Sequence, residues 1–388
     1  MAMPLSYNMR NLKVRWQVTL LAVLGIALVV AVFIVLAAMA SGFRLALAGT
    51  GVAENAMIVQ RGSTSELTSG IPRAQISLLA IDSRVSRDAE GRALASPEHV
   101  IIFNATKKAD GQSTNVLIRG VTPMAFVVRH GIRIVEGRTF SPGLYELIVG
   151  TRIRDRVNGL DLGSTIKIAR RDWTVVGVFS SEGSGFESEV WGDADAIGPA
   201  FNRSGGFSSL AVRLADPSTA QAFDQEIQHN PQMQLQLKEE RKYYADQTGL
   251  VGQAMWVLAV FVSIVMAVGA VFGAMNTMYA IVAARTREVG TLRALGFSRW
   301  SVLFTFVLES VVLALVGGAL GCVLALPANG LTGGTANATF SELAFAFRIT
   351  PVALGIGLMF ALVMGVAGGL LPAFRAARLP IVNALRDV

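Results

Sequence analysis

The sequence contains little cysteine and little charge for its length. Its 388 residues include one cysteine, Cys322, so no disulfide can form within the chain. Charged residues make up 16% of the chain and hydrophobic residues 52%, a composition too apolar for an ordinary soluble protein of this size. We therefore expect a membrane protein, in which any domain outside the bilayer is held together by its own core.

Several motifs of catalysis and ligand binding are also missing. No Gly-Lys dipeptide occurs, which excludes the phosphate-binding Gly-x-x-x-x-Gly-Lys-Ser/Thr loop, so we expect no ATP hydrolysis by this chain alone. The histidines, His99, His130 and His229, lack metal-ligand spacing, and no Gly-x-Ser-x-Gly elbow supports a serine nucleophile. The sequence predicts no catalytic residue, no metal site and no cofactor bound by the chain itself.

Long apolar runs predict four transmembrane helices, at residues 16–40, 251–284, 300–326 and 351–371. Each is long enough to cross a bilayer, which takes roughly 20 helical residues. The first run follows a basic flank, residues 1–15, and a cleaved signal peptide is the alternative interpretation. We interpret it as a retained helix, because signal peptides usually have an apolar core of about 7–15 residues.

The second run is too long for the bilayer alone. No charged residue lies between Asp246 and Arg285, and as one helix this run would measure roughly 55–60 Å against about 30 Å of hydrocarbon. We expect the helix to project on the outer side of the membrane, with Tyr243, Tyr244 and Trp256 near the interface.

Two polar residues of the predicted spans, Asn276 and Glu309, are candidates for specific contacts. Asn276 is expected to hydrogen-bond across helices. Glu309 must face protein or water, or be protonated, and we favour a helix–helix contact over a role in transport. Small residues that would allow close helix packing are Gly269, Gly273, Gly317, Gly318 and Gly321.

Residues 41–250 are polar and have the pattern of a folded α+β domain of about 200 residues. Strands are predicted at 56–60, 99–103, 115–121, 146–150, 165–169, 173–179 and 209–214, and helices at 72–80, 123–129 and 218–228. The predicted fold is thus an α-helical membrane protein with four transmembrane helices and a large α+β extracytoplasmic domain inserted between helices 1 and 2. Residues 327–350 are predicted to form an extracytoplasmic loop.

Acidic residues cluster around Trp191 in this domain. Glu187, Glu189, Asp193 and Asp195 have the alternating spacing that can bind Ca²⁺, but the fixed glycine and distal glutamate of a calcium loop are absent. We interpret the cluster as a solvated loop.

The charged segment between the second and third spans, residues 285–299, has an amphipathic helical pattern. Val289, Leu292 and Leu295 recur at spacings of three and are predicted to share one face. Glu288 lies within i,i+3 pairing distance of Arg285.

The segment also carries its own end signal. Gly296 is predicted to stop this helix in a left-handed conformation, and Ser298 to cap the next one.

This segment, Arg285-Thr-Arg-Glu-Val-Gly-Thr-Leu-Arg-Ala-Leu-Gly-Phe-Ser-Arg299, resembles the cytoplasmic coupling helix of the MacB/FtsX-like permeases of ABC transporters. The resemblance continues in Leu308-Glu309-Ser310 and in residues 369–385, and it covers the rest of the chain more weakly. It implies docking of a separate ABC-type ATPase subunit, which would bind ATP and Mg. The residues expected to contact that ATPase are Arg285, Arg287, Glu288, Gly290, Leu292, Arg293, Leu295 and Gly296.

Basic residues cluster in the N-terminal flank, in residues 285–299 and in the tail, residues 372–388. Four spans place all three clusters on one side, which the positive-inside rule assigns to the cytoplasm. We expect a multi-pass protein of the cell (inner) membrane with both termini in the cytoplasm. The formal net charge of +7 does not indicate a nucleic-acid partner, because the arginines do not form one basic stripe.

The resemblance implies a permease subunit that exports or extracts a lipid, lipoprotein, peptide or drug by mechanotransmission from the ATPase. It further implies a second permease chain, identical or different, and contact with membrane lipid, and it leaves open a periplasmic adaptor. Two alternatives are an ATP-driven regulator of an extracytoplasmic hydrolase or other partner, and a membrane receptor without an ATPase. The basic coupling segment argues against the receptor.

Overall fold

The computed structural model describes residues 16–129, 131–336 and 342–380. The basic flank at 1–15, His130 and the end of the tail at 381–388 lie outside the described residues.

The contacts divide the chain into two units. The helical unit contains residues 16–41, 254–331 and 347–380, and the mixed unit contains residues 42–253 and 332–346.

Helices and strands are numbered in chain order. The helices are α1 (Trp16–Ala48), α2 (Arg73–Ala80), α3 (Ala125–Val128), α4 (Thr151–Arg154), α5 (Ala194–Ala200), α6 (Ala220–His229), α7 (Glu240–Ala284), α8 (Thr286–Ala294), α9 (Arg299–Ala325) and α10 (Pro351–Ala377). The strands are β1 (Asn55–Gln60), β2 (Ile71–Pro72), β3 (Ala95–Thr106), β4 (Ser113–Val121), β5 (Arg133–Gly137), β6 (Glu146–Gly150), β7 (Thr165–Ile168), β8 (Arg171–Ser180), β9 (Glu189–Asp193), β10 (Gly206–Phe207), β11 (Ser209–Arg213), β12 (Leu235–Glu239), β13 (Thr332–Ala336) and β14 (Glu342–Ala346).

Among the residues that the structure describes, four helices are long and apolar enough to cross a membrane, as the sequence predicts. The apolar segments are Thr19–Ala46, Gln253–Ala284, Arg299–Ala328 and Pro351–Ala377, in α1, α7, α9 with its following turn, and α10. α7 is one helix of 45 residues, which at 1.5 Å per residue is about 67 Å long. Its first part, up to Gln253, belongs to the mixed unit and the rest to the helical unit.

Glycines allow the helices of the helical unit to approach closely. A Cβ added to Gly321 in α9 would lie 2.6 Å from the carbonyl oxygen of Ala27 in α1, and one added to Gly318 would lie 2.6 Å from the Cβ of Ala361 in α10. Close packing at these α9 glycines is therefore confirmed. Gly269 and Gly273 in α7 differ, because a Cβ at either would meet no atom of another described segment within 4 Å.

The mixed unit is built on a large twisted sheet with the strand order β12-β1-β11-β3-β4-β9-β6-β8-β5, and β7 pairs with β8. β9 runs parallel to β4, with Ile118 opposite Val190. Apolar side chains of β1, β4, β6 and β11 form the core on both faces, because alternate residues of each strand point to opposite sides. The predicted α+β domain is thus confirmed. Each predicted strand overlaps an observed one, although Ala169 and Leu214 lie just beyond the ends of β7 and β11.

Residues 327–350 are not simply a loop. β13 and β14 form an antiparallel hairpin with Gly334 opposite Ala344, and this hairpin belongs to the mixed unit. The glycine- and threonine-rich sequence has no alternating apolar pattern from which these strands could be predicted. The strands form because they pair with each other and contact the rest of the mixed unit. Residues 337–341 lie outside the described residues.

The prediction of a solvated acidic loop is wrong for most of its residues. Glu187, Glu189 and Asp193 are 4–5% exposed, whereas the side chain of Asp195 is 71% exposed. Glu189 and Asp193 lie in β9, a central strand. The strand is not predicted because its sequence is acidic. Within the described residues, no group of acidic, histidine or cysteine side chains has the arrangement of a metal site.

A buried ion network occupies the centre of the mixed unit. Arg119 in β4 pairs with Glu66, Glu98 and Glu189 at 2.8, 2.7 and 2.7 Å. The Arg119 side chain is 1% exposed, and its three partners are 0–7% exposed. Burial raises the pKa of Glu66, but the charge and hydrogen bonds of Arg119 outweigh that effect and hold the pKa below its ordinary value.

Arg129 extends this network to the first residue of α7. Its guanidinium binds Glu98 in β3, and its Nε lies 3.0 Å from Oε1 of Glu240. Tyr243 and Tyr244 are 2% and 4% exposed and pack in the adjacent apolar core of the mixed unit. The prediction that these tyrosines lie at a membrane interface is therefore wrong.

Replacing Arg119 tests how far the mixed unit depends on the network. Arg119→Leu leaves buried glutamates without their cation, and we expect it to lower the free energy of unfolding by about 3–5 kcal/mol. Denaturant unfolding of the full chain, followed by the fluorescence of the buried Trp173 and Trp191, measures the change. Arg133→Leu, at an exposed position of β5, is the control and should change stability by no more than about 0.5 kcal/mol. Equal stability of the two variants would contradict the prediction.

Candidate functional site

The coupling segment, residues 285–299, forms the short helix α8 and a tight turn before α9. Gly296 has a φ of 96°, which confirms the predicted left-handed stop. The amide of Phe297 donates to the carbonyl of Leu292 at 3.2 Å. The Oγ of Ser298 accepts from the amide of Ser301 at 3.1 Å, so the predicted cap of the next helix is also confirmed.

A buried ion pair fastens the start of this segment to α9. Nη1 of Arg285 donates to Oε2 of Glu309 at 2.8 Å, and the two residues are 9% and 3% exposed. Nε of Arg285 also lies 3.7 Å from Glu288, at the predicted i,i+3 spacing. Glu309 therefore makes a contact between helical segments, which agrees with the interpretation we favour from the sequence.

A second contact fastens the end of α8 to the end of α10. Nη1 of Arg293 donates to the carbonyl oxygens of Leu379 at 2.7 Å and Ala377 at 3.3 Å. Carbonyl groups at a helix C-terminus lack partners within the helix and carry partial negative charge, so a guanidinium is well suited to this position. Arg293 is thus engaged within the chain rather than presented as a free cation.

The predicted contact residues divide into a buried set and an exposed set. Arg285 and Gly290 are buried, and Leu292 and Arg293 are half-buried. The residues accessible to a partner are Arg287, Glu288, Leu295 and Gly296.

One detail of the predicted helical face is wrong. Leu295 is 73% exposed whereas Val289 is 3% exposed, so the two do not share a buried face. The reason is that α8 ends at Ala294, and the helical spacing no longer applies to Leu295.

Asn276 lies on an exposed face of α7. In the part of the chain that the structure describes, no hydrogen bond of its side chain is found. The prediction that Asn276 bonds across helices is therefore wrong for contacts within this chain.

The start of α7 is held within the mixed unit by its first residue. Oε2 of Glu240 accepts from the amide of Val52 at 3.1 Å and from Nδ2 of Asn55 at 3.0 Å, while Oε1 accepts from Arg129 at 3.0 Å. Glu240 is 0% exposed. A Cβ on Gly51 would lie 2.6 Å from the amide nitrogen of Arg241, so the chain that follows α1 packs directly on the start of α7.

Sequence reasoning missed this junction. The charged run of residues 238–242 does not indicate which of Glu239 and Glu240 is buried and paired. The two residues differ only in the partners that the fold brings close to them. Glu239 is exposed and Glu240 is buried.

These features define a multi-pass membrane permease with a large α+β domain between its first and second spanning helices. The MacB-like periplasmic core domain family matches residues 19–230, and the FtsX-like permease C-terminal family matches residues 260–381. The chain belongs to the MacB/FtsX-like family of ABC transporter permeases. The family resemblance expected from residues 285–299 is thereby confirmed.

Curated relatives carry export names. The macrolide export ATP-binding/permease protein MacB of Hahella chejuensis is 26% identical over 79% of this chain and 49% of its own length. The pyoverdine export ATP-binding/permease protein PvdT of Pseudomonas entomophila is 29% identical over 65% of this chain and 40% of its own length. The chain thus spans about half the length, or less, of these curated relatives.

Among solved structures, the periplasmic region of MacB from Actinobacillus actinomycetemcomitans is 12% identical, with a TM-score of 0.37. It covers 50% of this chain and 92% of the solved chain. The extracellular domain of the ABC-type transporter YknZ from Gram-positive bacteria is 14% identical, with a TM-score of 0.36 over 47% of this chain and 99% of the solved chain.

The Arg285–Glu309 pair can be tested by proteolysis. Glu309→Ala leaves the Arg285 guanidinium without its buried carboxylate, and we expect the start of the coupling segment to open. In limited trypsin digestion of the full chain in lipid nanodiscs, cleavage after Arg285 should rise at least severalfold. Cleavage after the exposed Arg299 is the internal control and should stay constant. An unchanged rate at Arg285 would mean that the pair does not hold the segment closed.

Proposed function

We propose that this chain is a permease subunit of an ATP-driven ABC transporter that exports or extracts its cargo by mechanotransmission. The observation that carries the proposal is α7, a continuous helix with a buried ion contact at each end. Glu240 ties its first residue to the core of the mixed unit, and Arg285, directly after its last residue, ties the coupling segment to α9. A movement of the coupling segment therefore has an uninterrupted helix through which to reach the domain.

The exposed part of the coupling segment is where we propose that a separate ABC-type ATPase subunit docks. Leu295 offers an exposed apolar side chain, and Arg287 and Glu288 of the same segment offer exposed charges, a mixture suited to a protein interface. The relatives are named ATP-binding/permease proteins, and this chain matches about half of the first of them. ATP and Mg would be bound by the ATPase.

We further propose that the coupling segment and both termini are cytoplasmic and that the mixed unit lies outside the cell membrane. Arg293 contacts the end of α10 near Arg375 and Arg378, so the basic residues of the coupling segment and of the tail occupy one end of the helical unit. The positive-inside rule assigns that end to the cytoplasm.

A second permease chain, identical or different, completes the proposed complex. Gly269, Gly273 and Asn276 follow one another at i, i+4 and i+7 on α7. A Cβ added to either glycine would meet no described atom outside the helix within 4 Å, and Asn276 is exposed. Two small residues four apart, followed by an amide, form a surface on which another helix packs closely and can hydrogen-bond.

Several classes of cargo are compatible with this function. The named relatives export a macrolide and pyoverdine, and a lipid, lipoprotein, peptide or drug is compatible with an external domain that moves on the membrane surface. A periplasmic adaptor would bind the mixed unit.

Docking of the ATPase is tested at Leu295. Leu295→Glu places a charge at the proposed apolar contact, and we expect at least a tenfold loss of the ATPase that co-purifies with the tagged chain from its native membrane in mild detergent. Quantitative mass spectrometry measures the recovery. Leu295→Met is the matched control and should retain the partner. Normal recovery with Leu295→Glu, or recovery of no ATPase with the native chain, would contradict the proposal.

Transmission along α7 is tested at Glu240. Glu240→Gln keeps the shape and the amide contacts but loses the charge that pairs with Arg129, so we expect the ATPase activity of the assembled complex to persist while the domain stops responding to it. Hydrogen–deuterium exchange in β3 and β4, compared between ATP and ADP, measures the response. Glu239→Gln changes the exposed neighbour and should respond as the native chain does. An unchanged response in Glu240→Gln would refute transmission through this junction.

A further inference from the structure

A cavity of about 500 Å³ lies in the mixed unit. None of the residues that line it belongs to α7. Its walls are the loop 67–72 that follows β1, the segment 203–208 around β10, and the side chains of Gln60 and His99. The volume falls in the range of sites for small organic molecules, about 300–1,000 Å³. The loop belongs to the polar stretch that the transport proposal leaves without a role.

The cavity has an apolar wall. Phe207 and Ile71, which face each other across the short β2–β10 pair, both contribute to it and are 7% and 1% exposed. Leu67 adds a further apolar side chain. Such a wall favours the body of an aromatic or alkyl ligand.

The wall contains one charged residue, Arg203, and the charged groups next to the wall are Arg73 and Asp195. Arg203 is exposed, and its guanidinium makes one long side-chain contact, 3.5 Å to the Oγ of Ser208. Among the described residues, no carboxylate lies within salt-bridge distance of it. Arg73 packs over the Phe207 ring at 4.8 Å and reaches Asp195 at 3.4 Å, where both side chains are at least half exposed. The net charge of these three groups is positive.

His99 is a buried polar group with unused hydrogen-bonding capacity. It is 0% exposed, its ring stacks on Phe207 at 4.7 Å, and neither ring nitrogen has a partner among the described residues. Burial, together with the charges of Arg73 and Arg203, lowers its pKa to about 4. The imidazole is therefore neutral near pH 7 and adds no charge that would oppose an anion.

We infer that this cavity is a binding site for a small organic anion with an apolar body, such as a carboxylate on an aromatic or alkyl group. Arg203 binds the anionic group, because a guanidinium without a carboxylate partner pairs readily with one. Phe207, Ile71 and Leu67 bind the body. A cationic ligand of the same shape is disfavoured by Arg203 and Arg73.

The test is equilibrium binding to the full chain in phosphatidylcholine nanodiscs, with empty nanodiscs to correct for partitioning into lipid. The probes are 2-naphthoate, neutral 2-naphthylmethanol and cationic 2-naphthylmethylammonium, which differ in charge on one aromatic body. We expect saturable binding of one 2-naphthoate per chain, at least tenfold tighter than either of the other probes.

Variants locate the site. Arg203→Gln should weaken 2-naphthoate binding about tenfold and leave 2-naphthylmethanol unaffected, and Arg203→Lys should have a smaller effect. Arg133→Gln, on the exposed edge strand β5, is the control and should bind as the native chain does. Thermal unfolding verifies that each variant is folded. If Arg203→Gln is unfolded, Arg203→Ala takes its place, because it also removes the charge.

Three results would overturn the inference. They are binding of 2-naphthoate that does not saturate, equal affinity for the three probes, and native affinity in a folded variant that lacks the positive charge at position 203. The assay contains no ATPase and no transport step, so its failure would leave the proposed transporter function untouched.

Discussion

The burial of charge at the centre of the mixed unit is the constraint on which the domain depends. Four glutamates, Glu66, Glu98, Glu189 and Glu240, share two arginines, Arg119 and Arg129, and all six are at most 5% exposed. Removing an ion from water costs several kcal/mol, so such a group is stable only when each member reaches its partners with good geometry. The network can form only when β3, β4, β9 and the start of α7 assemble together. The start of α7 is therefore part of the core of the mixed unit.

At both ends of α7 a buried charged residue is paired with partners of opposite charge or with hydrogen-bond donors. At its start, Glu240 is satisfied by an arginine, an asparagine and a backbone amide. Just beyond its end, Arg285 is satisfied by Glu309 within the helical unit. A charge that is buried and paired resists movement relative to its partners, because separation would leave the charge unpaired in a low-dielectric interior. The long helix thus has a buried, paired charge at its first residue and another directly after its last residue.

The coupling segment combines this attachment with exposure. Arg285 and Arg293 use their charges to hold α8 against α9 and against the end of α10. The outer surface of α8 and its turn keeps Arg287, Glu288 and Leu295 accessible. The two sets come from one short sequence, so residues that look equivalent in composition serve different purposes: some position the segment, and others are available to a partner.

The sequence by itself determined the features that depend on local chemistry. Uninterrupted apolar runs are sufficient to define four spanning helices, and Gly296 and Ser298 define the turn of the coupling segment through their own backbone and side-chain preferences. Most strands could be predicted because their alternating pattern is contained within a few residues.

Only the tertiary structure decided the environment of the charged and polar groups. Glu189 belongs to a central strand because Arg119, 70 residues earlier, meets it there, and Glu240 is buried because Arg129 lies 111 residues before it. Leu295 is exposed because α8 ends at Ala294, so Leu295 lies outside the helix and does not share its buried face. The cavity beside Arg203 is likewise formed by segments more than 100 residues apart. Burial depends on which distant residues become neighbours, and no local pattern contains that information.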